Sequence, residues 1–371
     1  MRDIAGVLVA RACELVWKCD SAARLVDRLL PRPIRALLVS RLYDHYVHCR
    51  DMAGEIDDRQ PEGLALIFHM GLGDALFATP LLRECKARWP SLPVWAYVSS
   101  TLDAVNSPVV AELLELLPYI DKVVTWPGCM RDIWVNYDRS EVCVPEGFLR
   151  VPLLWKTTHD PIHRTEQLFL LWGLPVPEDI TPVLPGHVPL TPRARELADQ
   201  TPQGRKIAVV HLDTRSSEYC YPHGEALAER LVRNGWTVVC FTKLDRPVAG
   251  VVHVDPRKNT LVDTIAYLMH LRQREGTRIR ALCVQSMFWP LLASMGVPAL
   301  GVNITEDKGI HAYWNSSVTV LSPWRYKGVR YPFFHDPAVR MRRYRSSYAP
   351  RLFTVADYPP ETLVRYFEKM D

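Results

Sequence analysis

The chain has 371 residues, a length that suits two domains at about 150 residues each. Apolar residues make up 48% of the chain and charged residues 23%, and this composition excludes a mainly disordered, collagen-like or fibrous protein. The formal net charge of +4 is too small for the whole chain to act as a general polyanion binder. The composition therefore predicts a folded protein with a sizeable hydrophobic core.

The first 60 residues predict a helical extension. Apolar residues recur at helical spacing over residues 4–30, and most of the basic side chains lie elsewhere on the helical wheel. Such a helix lies either against its own protein or on an anionic membrane surface, and we favour packing. No segment approaches the roughly 20 apolar residues of a membrane span, and charges interrupt the first 20 residues where a signal peptide would be apolar. We expect a cytoplasmic protein, with peripheral contact at the inner membrane surface as the alternative.

The nine cysteines do not form a metal-binding or disulfide pattern. They are an odd number spread along the chain, with no Cys-x-x-Cys pair and no histidine at zinc-ligand spacing. We interpret them as reduced thiols and predict neither a metal site nor a cofactor.

From residue 61 the sequence alternates between short apolar runs and amphipathic segments, which is typical of strand–helix–strand units around parallel sheets. Residues 61–190 predict a first Rossmann-like domain, with strands at 64–69, 94–98 and 122–126. A proline-rich connection precedes a second Rossmann-like domain at residues 200–335. Residues 336–371 predict a basic segment followed by a C-terminal helix. The predicted fold class is α/β.

The loop Gly71-Leu72-Gly73-Asp74 follows the first strand and opens a helix. A glycine turn there lets a ligand approach the backbone, and helix amides can receive an anion. Leu76 occupies the place of the third glycine of a dinucleotide-binding loop, which disfavours an NAD-dependent dehydrogenase. A phosphate loop of the GxxxxGK[ST] type is also absent from the sequence, which argues against a P-loop kinase or ATPase.

Residues 69–90, HMGLGDALFATPLLRECKARWP, resemble the opening motif of glycosyltransferase family 9, the ADP-heptose:lipopolysaccharide heptosyltransferases. The resemblance extends over residues 64–305, strongly at this motif and weakly later. It implies a GT-B fold, in which two Rossmann-like domains face each other across a cleft that holds the nucleotide-sugar. It also implies that the C-terminal helix within residues 336–371 crosses back onto the first domain. In this family the Asp of the Gly-Asp turn is the base, which implies that role for Asp74 and donor contacts for Gly71 and Gly73. An N-capping role for Asp74 is the alternative, and Thr79-Pro80 is interpreted first as a helix cap and first-turn proline, and second as an acceptor contact.

A second segment, residues 209–222, is similar to the family's strand that ends in His and leads into a polar donor-binding loop. The donor contacts that this similarity implies are His211, Thr214, Arg215 and Ser216. The Lys of the family pattern falls on Glu218 or Tyr219, so Arg215 is the candidate replacement as a phosphate ligand. A buried strand-end histidine and a solvated turn remain the alternatives.

A third segment, residues 283–302, resembles a strand followed by the family's Asp-Ser-Gly-x-x-His helix start. Gln285 stands at the Asp position, Ser286 matches Ser, Met287 replaces Gly and Pro290 replaces His. The resemblance implies donor contacts by Gln285 and Ser286, together with helix amides that receive a diphosphate.

The resemblance implies an inverting, metal-independent glycosyltransferase that uses a nucleotide-diphosphate sugar, ADP-heptose by default, and a glycan or lipopolysaccharide-type acceptor. A dense basic run is the candidate contact for acceptor phosphates: Arg340, Arg342, Arg343 and Arg345. The same run suits a nucleic-acid backbone, so a glycosyltransferase acting on hydroxymethylated DNA bases is an alternative, as is a solvated basic face. A third alternative is a GT-B protein that binds nucleotide-sugars without catalysing transfer.

Overall fold

The fold is described here from a computed structural model. The described residues are 52–68, 71–99, 107–126, 143–153, 165, 168–169, 172–177, 179–203, 206–214, 220–284, 286–302, 318–322, 346–348 and 359–370. The helices expected within residues 1–50 and the basic run at residues 340–345 lie outside them. No helix in the described segments is long and apolar enough to cross a membrane.

A first helix, α1, covers Met52–Arg59, at the end of the N-terminal extension. Its buried residues Met52, Ala53 and Ile56 join the main hydrophobic core. The backbone N–H of Ala53 donates to the carbonyl oxygen of Trp172 over 3.0 Å. The end of the extension therefore packs onto the first domain.

The first sheet has four parallel strands in the order β3–β2–β1–β4. The strands and helices of this half are β1 Gly63–Phe68, α2 Leu72–Arg88, β2 Val94–Ser99, α3 Ser107–Leu116, β3 Lys122–Trp126 and β4 Phe148–Leu153. Along β1, Leu64, Leu66 and Phe68 join the main core with residues of α2 and α3, while Ala65 and Ile67 pack on the opposite face with Tyr97 and Trp126. Burial on both faces explains why the strand is apolar throughout.

The second sheet has seven parallel strands in the order β11–β10–β9–β8–β5–β6–β7. The elements from residue 192 onward are α4 Pro192–Gln200, β5 Lys206–His211, α5 Gly224–Arg233, β6 Thr237–Cys240, β7 Val251–His253, α6 Leu261–Gln273, β8 Arg278–Val284, α7 Phe288–Ser294, β9 Ala299–Val302, β10 Val318–Ser322, β11 Ser346–Tyr348 and α8 Pro360–Glu368. A short 3-10 turn, Pro256–Lys258, precedes α6. The two parallel sheets confirm the predicted α/β class.

The C-terminal helix α8 corrects one expectation, because it packs on the second domain instead of crossing back to the first. Leu363, Val364 and Phe367 share a core cluster with residues of α5 and of strands β5, β6, β8 and β9. Strand β8 also brings two arginines to the carboxyl end of α8: Arg278 donates to the Met370 carbonyl over 3.2 Å and Arg280 to the Phe367 carbonyl over 2.7 Å. Cations are favourable at a helix carboxyl end, so Arg278 and Arg280 stabilise α8 in this position.

Candidate active site

The glycine loop places its residues at the amino end of α2, which is the first helix after β1. Gly71 is the N-cap residue, with extended backbone and no side-chain cap, and its carbonyl accepts from the Ala75 N–H over 2.9 Å. Asp74 is therefore the third helical residue, and the alternative of an N-capping Asp74 is wrong. A half-buried carboxylate in the first helical turn is stabilised in its charged form by the helix dipole.

The Thr79-Pro80 pair lies in the interior of α2, so the expected helix cap and first-turn proline are wrong. Thr79 is fully buried and its hydroxyl makes two contacts. It donates to the Leu76 carbonyl over 2.8 Å and accepts from the Val183 N–H over 2.6 Å. These contacts are internal to the protein and give the pair a structural role.

The first and third sequence motifs meet in space. A Cβ atom added to Gly73 would lie 3.5 Å from the Met287 Cα and 3.8 Å from its Cβ, which is ordinary van der Waals contact. Gly73 lies on the first domain and Met287 on the second, and helices α2 and α7 pack together at this point. The amino end of α2, which carries Asp74, therefore faces the loop that carries Ser286 across the domain boundary.

His211, from the second motif, adjoins the same region from the end of β5. Its ring stacks on Phe288 of α7, with 4.3 Å between ring centroids and 21° between planes. Its Nε2 lies 3.3 Å from Oδ1 of Asp213, and its buried Nδ1 has no hydrogen-bond partner among the described residues. Burial lowers the pKa of His211 to about 3, so the ring is neutral at pH 7 and its contact with Asp213 is not an ion pair.

Asp213 was not singled out from the sequence, although a carboxylate that follows a buried strand by two residues is a recognisable signal. Burial raises the pKa of Asp213, while the backbone N–H groups of Lys243 and of Asp213 itself oppose that shift. The charges of Arg257 and His253, at the neighbouring edge of the sheet, also act to lower the pKa of Asp213. Asp213 thus brings a negative group to the loop where the family resemblance implies a lysine.

Hydrogen bonds join the two ends of the loop that follows β5. The Thr214 N–H donates to the Cys220 sulfur over 3.3 Å, and the Tyr221 N–H donates to the Leu212 carbonyl over 2.8 Å. Arg215 and Ser216 fall between these ends in sequence and lie outside the described residues. The structure therefore places Thr214 beside the site and leaves the other two as predictions.

The start of α7 has fewer free backbone amides to bind a diphosphate than the sequence predicts. The helix has only seven residues, the Trp289 N–H is directed to the Ser286 carbonyl at 3.3 Å, and Pro290 has no N–H. The Ser286 hydroxyl oxygen is buried without a hydrogen-bond partner in the described part of the chain. Gln285 lies outside that part. The hydroxyl of Ser286 is therefore a better candidate anion donor than the helix amides.

Both sheets change winding direction at the strands that carry these loops. In the second sheet β5 and β8 are neighbours, while the connections from them run toward opposite edges, and β1 stands between β2 and β4 in the first sheet. Ligands of open parallel α/β sheets bind outside the carboxyl ends of strands at such switch points. His211 is the last residue of β5, and Gly71, Asp74 and Ser286 follow the carboxyl ends of β1 and β8.

The structure is similar to known glycosyltransferases. The E. coli ADP-heptose lipopolysaccharide heptosyltransferase II superposes with a TM-score of 0.54 at 11% identity, over 82% of this chain and 97% of that protein. The chain has the GT-B fold. This result confirms the fold that the family resemblance implied.

Two further structures superpose less closely on this GT-B chain. A glycosyltransferase family 9 protein from Veillonella parvula has a TM-score of 0.47 at 16% identity, over 70% of this chain and 85% of that one. The E. coli heptosyltransferase WaaC with ADP has a TM-score of 0.49 at 12% identity, over 82% of this chain and 99% of that one. No family model and no curated protein matches the sequence.

The described part of this GT-B chain contains no group of three or more His, Cys, Asp or Glu side chains arranged to hold a metal ion. The groups that the described residues bring to the cleft are two half-buried carboxylates, two hydroxyl side chains and a neutral imidazole: Asp74, Asp213, Thr214, Ser286 and His211.

Proposed function

We propose that the protein is an inverting, metal-independent glycosyltransferase that moves a sugar from a nucleotide-diphosphate donor to a hydroxyl of a glycan or lipopolysaccharide-type acceptor. The observation that carries the proposal is the contact between Gly73 and Met287, because it joins the loop of the implied base to the loop of the implied donor site. The default donor is ADP-heptose, which rests on the sequence resemblance and on the fold shared with the heptosyltransferase.

In this proposal Asp74 takes the proton of the acceptor hydroxyl while the acceptor oxygen attacks the anomeric carbon of the donor. The bond from that carbon to the diphosphate oxygen breaks, and the nucleoside diphosphate leaves with the bonding electron pair. A carboxylate in the first turn of a helix is favoured in its charged form by the helix dipole, which suits a base although it also lowers the proton affinity of the carboxylate. A single displacement inverts the configuration at the anomeric carbon.

Charge on the leaving diphosphate has to be offset by fixed donors in a site without a metal. The hydroxyls of Ser286 and Thr214 are the described candidates, and Arg215 is the cationic one that the sequence supplies. The buried hydroxyl oxygen of Ser286, unpartnered among the described residues, supports its place in this set. The helix amides of α7 contribute less, because the Trp289 N–H is already engaged and Pro290 has none.

The test measures heptose transfer from ADP-heptose to a heptose-deficient lipopolysaccharide core, with donor binding measured in parallel. An Asp74→Asn variant should bind donor normally and lose about 10²- to 10⁴-fold in turnover, the usual contribution of a general base. Ser286→Ala should weaken donor binding instead. Equal turnover of the wild type and the Asp74→Asn variant would remove Asp74 from the mechanism.

A second candidate is a GT-B protein that binds nucleotide-sugars without transferring them. The amino end of α7 favours it, because the Trp289 N–H is already engaged and Pro290 has no N–H, so few amides there are available to a leaving diphosphate. Selective donor binding with no transfer to any glycan, lipopolysaccharide core or hydroxymethylated DNA would support this candidate over the enzyme.

A further inference from the structure

A hydrogen bond joins the two domains on the α3–α6 side. The backbone N–H of Leu261, the first residue of α6 in the second domain, donates to Oε2 of Glu112 over 2.9 Å. Glu112 belongs to α3 in the first domain, and α3 packs against α6. A carboxylate at a helix amino end combines a charge-assisted hydrogen bond with a favourable helix dipole.

Helix α6 does not need Glu112 for its own cap. Thr260 and Asp263 form a capping box, in which the Thr260 hydroxyl accepts from the Asp263 N–H over 3.0 Å and the Asp263 carboxylate accepts from the Thr260 N–H over 2.9 Å. The Leu261 N–H is outside this box, and Glu112 accepts it. The energy of the Glu112 contact therefore acts mainly between the domains rather than within α6.

The proline-rich segment 175–192, which leads into the second domain, is held at two points. Near its middle, the Val183 N–H donates to the Thr79 hydroxyl of the first domain. Near its end, the Thr191 hydroxyl donates to Oδ1 of Asp263 over 2.6 Å, so Asp263 links the connection to the same amino end of α6. This end of α6 is thus where the first domain, the connection and the second domain meet.

We infer that Glu112 is an interdomain latch that favours the arrangement in which Gly73 contacts Met287, called here the closed arrangement. Releasing Glu112 from Leu261 leaves the capping box and the contacts of Val183 and Thr191 intact, but it removes a charged contact that holds α3 against α6. The closed arrangement is then less populated and the cleft opens more often. The latch acts whether or not the protein transfers a sugar.

The test uses a disulfide as a reporter of closure. The distance of 3.8 Å between the Met287 Cβ and a Cβ built on Gly73 is the usual separation in disulfides, so Gly73→Cys and Met287→Cys should form a bond only when the cleft is closed. The rate of this bond's formation under a fixed oxidant is measured on the full chain by mass spectrometry of the cross-linked peptide, which separates it from products of the native thiols.

Adding Glu112→Ala to the reporter should lower the closed-to-open ratio about tenfold, the effect of losing one charge-assisted hydrogen bond, and should slow cross-linking by up to that factor, in full where the open arrangement predominates. The matched control is Glu115→Ala, an exposed glutamate on the same helix, which should leave the rate unchanged. Glu112→Gln keeps an oxygen acceptor but loses the charge, and it should give an intermediate rate and serve if the alanine variant does not fold. Equal rates for the Glu112 and Glu115 variants would overturn the latch.

Discussion

Thr79 shows how a single side chain can carry a motif's structural role. Pro80 lacks an N–H, so the Leu76 carbonyl, four residues before it in α2, loses its usual helical donor. The Thr79 hydroxyl takes that place, and the same oxygen accepts the Val183 N–H from the interdomain connection. The Thr79 hydroxyl thus replaces the helical donor that Pro80 lacks and also holds the segment around Val183 against α2.

Thr79→Val should destabilise the protein by about 2 to 4 kcal/mol, because it retains the side-chain volume but leaves one buried carbonyl and one N–H unpaired. Thr79→Ser keeps the hydroxyl and should cost only about 1 kcal/mol for the lost methyl group. The midpoints of urea unfolding measure both. A Val variant as stable as the Ser variant would contradict the two-contact role.

The buried His211 should make folding stability depend on pH. Its folded pKa of about 3 lies below the ordinary value of 6.5, so the unfolded chain binds the extra proton first as pH falls. The stability that neutral His211 contributes is complete above pH 6.5 and is lost progressively between pH 6.5 and pH 3. From pH 7 to pH 5 this loss should reach about 2 kcal/mol.

A His211→Gln variant does not titrate in this range. It should therefore lose about 2 kcal/mol less than the wild type between pH 7 and pH 5, with urea unfolding as the measurement at both values. The difference between the two proteins isolates His211 from the other titrating groups. Parallel pH dependences would show that the folded ring protonates easily and is not deeply buried.

At the scale of elements, α7 packs closely on β9 because residue 301 of β9 is a glycine. A Cβ added to Gly301 of β9 would lie 1.9 Å from the ring of Trp289, so only glycine lets the indole lie flat on the strand. Trp289 is 2% exposed and sits one residue after Phe288, which stacks on His211. The position of α7, and with it of Ser286, depends on this close approach.

Gly301→Ala should therefore destabilise the protein by about 1 to 3 kcal/mol, the usual cost of overpacking a core. Adding Trp289→Leu should recover part of the loss, because the smaller side chain makes room for the new methyl group. Urea unfolding of the two single variants and the double variant forms the cycle. Strictly additive losses would contradict direct packing of Trp289 on Gly301.

At the scale of the whole molecule, the two sheets place their switch points on facing sides of one boundary. The glycine loop, His211 and Ser286 lie close together there, although His211 and Ser286 follow the glycine loop by about 140 and 210 residues along the chain. The approach of Gly73 to Met287 is the example with the larger separation. A ligand in such a cleft touches both domains and stabilises the folded protein as a whole.

The proposed donor should therefore raise thermal stability selectively. Among ADP, UDP, GDP, CMP and TDP with their common sugar conjugates, one nucleotide at 100 times its dissociation constant should add about 2.7 kcal/mol. A thermal-shift screen measures this, and Ser286→Ala should reduce the shift. No shift with any member would count against a nucleotide-diphosphate donor from this panel.

The longer elements could be predicted from sequence because their apolar patterns are strong. Strand β3 occupies the predicted residues 122–126, and α2 follows the glycine loop as predicted. Helix α4 and strand β4 were missed because each is short and flanked by prolines or irregular sequence. The direction in which α8 packs was also missed, since it depends on Arg278 and Arg280 from a distant strand.

The sequence by itself determined the α/β class, the two-domain order and the places of Asp74, His211 and Ser286 at or after the ends of strands, because local periodicity and turn chemistry encode these features. Only the tertiary structure decided that Gly73 meets Met287, that Phe288 covers His211 and that Glu112 accepts from Leu261. These contacts join residues far apart in the chain, and their geometry follows from sheet order and helix packing. A local pattern specifies neither of these.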